Sequence, residues 1–178
     1  MQKTAFALRA ILVVAVVFAG FAVCAHAQNG WTRYSPEGGN FSVLMPGNPK
    51  VEVENKIASF GAYSSYLFSE TKAGTLYMIG WADYPPNVTL NVQGEITATR
   101  NNFLKSVNGT LIAEKEISLD GHPGLEFTAD MGSKLFALSR IYIVGNRPYQ
   151  ILAITKRNQN QTRANNFIWS FTLDISSK

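Results

Sequence analysis

Side chains able to do chemistry at neutral pH are scarce in this chain. Beyond the first 27 residues there is one histidine, His122, in the segment Asp120-Gly121-His122-Pro123-Gly124, a turn entering a strand. As a metal site it would recruit Asp120 and Glu126. Zinc and similar metals draw three or four converging ligands, commonly several His or Cys, and this segment supplies one imidazole. As a general base it would need an activated serine beside it, and no Gly-x-Ser-x-Gly elbow occurs. A solvent-exposed turn histidine is the simpler reading. Glu52/Glu54 and Glu114/Glu116 are same-face carboxylate pairs at strand spacing, the raw material of glycoside hydrolysis; a charged solvent face explains both. Gly38-Gly39 leads into a strand, not a helix, so it does not cradle phosphate. The expectation is therefore no cofactor, no metal and no enzymatic activity.

Two sets of residues remain as candidate ligand or partner contacts. Glu126 and Arg140 fall on adjacent expected strands as cross-strand neighbours. They form either a structural ion pair or an anchor for a ligand. Tyr63, Tyr66, Tyr77, Trp81 and Tyr84 are mainly packing residues by type, but part of the set could line an apolar pocket.

The only cysteine, Cys24, lies in the leader. Lys3 and Arg9 make a positive start, Ala10 to Val23 is an apolar run, and Ala25-His26-Ala27 is a small-x-small cleavage site. This pattern predicts a signal peptide over 1–27, removed to leave a single domain over 28–178, exported to the periplasm or secreted. The apolar run is shorter than a membrane-spanning helix requires, so no stable membrane anchor is expected after cleavage. Acylation of Cys24 would want a small residue where Val23 stands. With the leader goes the thiol, and with it thiol catalysis, disulfides and cysteine metal sites.

Removing Lys3 and Arg9 lowers the formal net charge from +4 to +2. The densest basic group, Lys156-Arg157 with Arg163, sits among neutral Asn and Gln and reads as a solvated turn and helix start. A clustered basic patch is the footprint of nucleic-acid binding; none is seen, and no nucleic-acid partner is expected.

The elements that would position these residues follow from hydrophobic period. Short strands are expected at Trp31–Tyr34 and Phe41–Met45, then at Val51–Ile57, Gly61–Ser69 and Thr75–Ala82. Thr71-Lys72-Ala73-Gly74 is a hairpin loop, and the nearly continuous apolar run after it marks a central strand. Val92, Ile96, Phe103 and Val107 then line one stripe of a helix over about 91–108, with Thr89 or Asn91 as cap and Asn108-Gly109 as stop. Gly94 weakens that helix. Strands return over 111–119, 125–129, 135–144 and 149–154, with turns at Asp120-Gly121, Met131-Gly132-Ser133 and Gly145-Asn146. A short helix over about 159–170 closes the chain, its stripe Ala164, Phe167, Ile168 and Phe171. Strands in groups with helices between the groups indicate α+β.

Three stretches carry a family resemblance: Tyr34-Ser35-Pro36-Glu37-Gly38-Gly39-Asn40-Phe41 with the strand after it, Asp120-Gly121-His122-Pro123-Gly124-Leu125-Glu126-Phe127, and Arg140 through Gln150. With the helix that follows, they resemble exported bacterial domains of the PsbP-like type, a group that also includes a Ran-binding nuclear import factor. The resemblance implies an antiparallel sheet flanked by two main helices, an α/β/α sandwich. It also implies a binding or assembly role, met through an unknown envelope protein. Carriage of a small apolar ligand in a sheet–helix pocket is the alternative, and a hydrolase centred on His122 the remotest reading.

Overall fold

The computed structural model describes residues 30–58, 60–159 and 161–174. The expected leader and Cys24 lie outside the described residues. The elements are β1 (Trp31–Tyr34), β2 (Phe41–Pro46), β3 (Lys50–Ala58), β4 (Gly61–Lys72), β5 (Thr75–Asp83), α1 (Val92–Ser106), β6 (Thr110–Leu119), β7 (His122–Asp130), β8 (Leu135–Val144), β9 (Arg147–Lys156), α2 (Thr162–Trp169) and β10 (Thr172–Leu173). The fold is α+β: among the described residues, two helices pack on two antiparallel sheets.

The larger sheet has the order β3-β4-β5-β9-β8-β7-β6. After β5 the chain makes α1, crosses to the far edge as β6, and returns by successive hairpins until β9 pairs with β5. β5 and β9 are thereby covered on both faces, which is why their sequences are apolar nearly throughout. The tight turns hold the register. Asp120-Gly121 and Ala73-Gly74 both take left-handed φ at the two central positions, the geometry that matches strand twist. The second turn corrects an expectation: β4 runs on to Lys72, so the hairpin has two loop residues, not four.

Helix α1 begins where Asn91 accepts a hydrogen bond from the Gly94 amide at 3.0 Å. A side chain at position 94 would stand 3.2 Å from the Asn91 Cγ, so the glycine that lowers helix propensity makes room for the cap. Asn108, at φ 48, ends the helix as expected, and the Gly109 amide closes on Leu104 O. Ile96 and Phe103 face Leu125, Phe127, Ile141, Ile143 and Leu152 of the sheet.

The opposite face is covered jointly. The three-stranded sheet β1-β2-β10 supplies Phe41, Val43 and Met45, and α2 supplies Ala164, Phe167 and Ile168. They bury Tyr77, Ile79, Trp81, Tyr142, Tyr149 and Ile151. A helix on each face is thus met only loosely, because β10 joins β2 and the small sheet takes half of the second layer. Each large side chain so buried contributes about 1.5–3 kcal/mol.

Candidate functional site

On the α2 face, the strands β6, β7 and β8 carry a ladder of charge. Register places Lys115 opposite Glu126 and Glu126 opposite Arg140. The Lys115 ammonium lies 2.9 Å from one Glu126 oxygen, and the Arg140 guanidinium 2.7 Å from the other. Burial alone would raise the Glu126 pKa. Hydrogen bonds from Lys115 and then Arg140 outweigh it and hold the carboxyl below the ordinary range. Above the ladder, Trp169 of α2 lies 5.8 Å from the Arg140 guanidinium and is 60% exposed. Ile117 and Leu119 continue the same face, partly buried against the core.

Glu126 and Arg140 are therefore neighbours, as their spacing predicts. Lys115 and Trp169 escaped the reading of the sequence. A signal for Trp169 existed: it falls off the stripe of Ala164, Phe167 and Ile168, so a helix that buries those residues turns the indole outward.

The five aromatics do not converge. Tyr63 and Tyr66 are three residues apart on one strand, so they point to opposite faces. Tyr66, Tyr77 and Trp81 pack on the α2 side; Tyr66 and Phe68 stack on the indole of Trp81 with centroids 4.6 and 5.3 Å away. Tyr63 and Tyr84 pack with Phe60 on the α1 side. A single pocket lined by the whole set does not exist, and strand parity is the reason.

Each subset does border a hollow. Tyr77 lies at the floor of a cleft of about 370 Å³ between Trp31, Leu44, Lys72 and, from α2, Arg163 and Asn166. Tyr63 and Tyr84 edge an open depression of about 340 Å³ with Asn55, Ser64 and Asp83. Behind it the Tyr84 hydroxyl donates to Glu95 at 3.1 Å. Glu95 is 3% exposed. Burial pushes its carboxyl up to about 7, against the Tyr84 hydrogen bond, which lowers it.

The remaining candidates are spread out. Among the described residues, no three or more His, Cys, Asp or Glu side chains group as metal ligands. His122 begins β7 half-buried, opposite Leu119. Glu54 pairs with Lys56, Glu52 with Lys50, and Glu114 with Arg100. Arg147, unremarked in the sequence, holds Asp83 and the carbonyls of Gly38 and Gly39, and Tyr149 OH donates to Gly39 O at 2.8 Å. This fastens the turn before β2 over the end of the large sheet.

No family model matches the chain, and no curated protein matches it. Among solved structures it is similar to cyanobacterial PsbP (CyanoP) of Synechocystis, at 16% identity and a TM-score of 0.54, over 85% of this chain and 98% of that one. It also aligns with a Pseudomonas aeruginosa protein of unknown function described as a putative regulator, at 11% identity and a TM-score of 0.31, over 71% of this chain and 83% of that one. A Bacteroides thetaiotaomicron structure aligns at 11% identity and a TM-score of 0.38, over 81% of this chain and 48% of that one. The fold is PsbP-like, and the likeness is one of fold.

Proposed function

We propose that this chain is an exported, non-enzymatic binding domain that meets an envelope protein through the open part of its α2 face. The observation that carries the reading is Trp169, exposed and lying on the Arg140 guanidinium above the Lys115–Glu126–Arg140 ladder. Trp and Arg are the side chains most enriched where interfaces concentrate their energy. The partner would offer an apolar hollow for the indole and carboxylates at its rim for Lys115 and Arg140. Export rests on the leader, and the absence of catalysis on the dispersal of the titratable groups. The test compares the chain with Trp169→Ala and Arg140→Ala as baits in extract of its own envelope, with bound proteins identified by mass spectrometry. The wild-type set should be lost from both variants. Recovery of the same set by Trp169→Ala, or of nothing above background by the wild type, overturns the proposal.

The cleft over Tyr77 favours a second reading, carriage of a small apolar ligand. Lys72 and Arg163 in its lining would select a ligand with one anionic end. Calorimetric titration with a twelve-carbon carboxylate should give saturable heat that Lys72→Ala weakens. No heat for the wild type would dispose of it.

A further inference from the structure

The strand β3 is an edge of the large sheet, bonded to β4 on one side only. An edge strand turns the N–H and C=O of alternate residues outward, a template for a further strand. Its side chains make the template unusual. Val51, Val53 and Ile57 share one face, opposite Phe68, Tyr66 and Ala62 of β4. All three are exposed, Ile57 to 91%. Glu52, Glu54 and Lys56 share the other face. Lys50–Glu52 and Glu54–Lys56 pair along the strand itself, so no charge is sent in from a neighbouring element among these pairs.

The occupant can be read from the strand's own sequence. In an antiparallel pair, opposite residues share a face, so only registers that match even with even positions keep both faces intact. A two-fold axis through Asn55 puts Val53 of each copy opposite Ile57 of the other, and Glu54 of each copy opposite Lys56 of the other. Both matches occur twice, with Asn55 facing Asn55. The neighbouring registers are worse. Centred on Val53, Lys50 meets Lys56 and Glu52 meets Glu54. Centred on Glu54 or on Lys56, a charge meets its own copy. Opposite charges and β-branched pairs across strands stabilise a ladder, and like charges oppose it. Centred on Val51, Lys50 does meet Glu52, but only Lys50, Val51 and Glu52 of the strand then overlap, so the Asn55 register is the complementary one that uses most of β3.

We propose that two copies of this chain associate edge to edge through antiparallel β3 strands centred on Asn55, joining their large sheets into one. A self-complementary patch around a two-fold axis is the usual geometry of a dimer. This edge lies at the opposite end of the sheet from the β6–β8 ladder under Trp169, so the two proposals fail independently.

The test is sedimentation of the chain as its host processes it, over a concentration series up to about 1 mM. The measured mass should rise from one chain to two. Glu54→Lys and Lys56→Glu each set like charges opposite one another twice and should weaken association by roughly tenfold or more. An equimolar mixture of these two variants should restore it, because each lysine then faces a glutamate of the other copy. Both variants lose their own Glu54–Lys56 pair, so recovery in the mixture reports the contact between copies. Ile57→Asp, at an exposed position and with its fold checked by circular dichroism, should also remain a single chain. A wild type that stays at one chain mass overturns the proposal. So does an Ile57→Asp variant that associates as the wild type does, or a mixture no better than its components.

Discussion

The two edges of the large sheet are built on different terms. β6 is irregular: its register shifts between Leu111 and Ala113, a bulge that spoils a template. Its Glu114 is tied to Arg100 of α1, its Lys115 to Glu126 of β7, and Ile117 and Leu119 pack down on the core. β3 is regular over nine residues and pairs its charges along its own length. Proteins blunt edges with bulges, inward-directed charge and charged side chains on the edge itself; β6 has a bulge, and β3 has only its own charges. The β6 edge is protected in part by what reaches it from other elements. β6 draws counter-charges from α1 and β7, whereas Lys50–Glu52 and Lys56–Glu54 pair along β3 itself.

The strongest way to break the contrast is to remove what holds β6 from beneath. Phe127 is buried against Phe103 of α1 at 5.7 Å. Phe127→Ala should cost about 3–5 kcal/mol in denaturant unfolding. It should also speed amide exchange along β6 more than along β3; a uniform increase at both edges would erase the distinction.

Next in size is a pH effect that separates the two flanks by sign. Glu95, behind the β4 and β5 aromatics, has a carboxyl raised from 4.5 to about 7. The folded chain holds that proton more tightly than the unfolded chain. Its contribution is therefore greatest below about 4.5 and is lost as pH rises to about 7, by about 2–3 kcal/mol. Glu95→Gln should flatten stability against pH across that window.

Glu126, on the β6 flank, is shifted the other way. Its contribution is present above about 4.5 and fades as pH falls. Glu126→Ala leaves Arg140 half-buried without its carboxylate and should cost about 1–2 kcal/mol at neutral pH, measured by thermal unfolding, and little at low pH. The smallest effect on folding distinguishes the edges most directly. Ile57→Thr and Ile112→Thr, both at exposed positions, should each change stability by less than about 0.5 kcal/mol. Only the first should reduce self-association in sedimentation.

Much of this architecture is legible residue by residue. Leu135–Val144 is bounded by Gly132-Ser133 and Gly145-Asn146, turn chemistry with its own φ requirements, and the strand falls where those turns put it. The α1 stripe is legible because Ile96 and Phe103 keep helical spacing over a long segment. Glu126–Arg140 is legible because a short turn joins their strands and sets the register. What escaped depends on residues far apart in sequence. β10 is two residues long and exists because Thr172 meets Ser42. Arg147 finds its carbonyls more than a hundred positions earlier. Gly124 reads as a turn residue, yet it sits within β7, where a side chain would collide with Ile141 O and with the Tyr142 ring. The division of the aromatic set between two faces follows from strand parity, which residue type alone does not show.

The small sheet has a consequence for the order in which the chain can fold. β2 is held between β1 and β10, and Ser42 and Thr172 bond across 130 positions, with Arg33 closing on both. The α1 face is closed once β9 returns to β5, with Leu76 opposite Ile154. The α2 face cannot be completed until residues near 172 have arrived to meet residues near 42. Contacts of such separation are slow to form. Until residues near 172 meet those near 42, Tyr77, Trp81 and Tyr149 lack part of the cover that β2 and α2 give them in the folded chain.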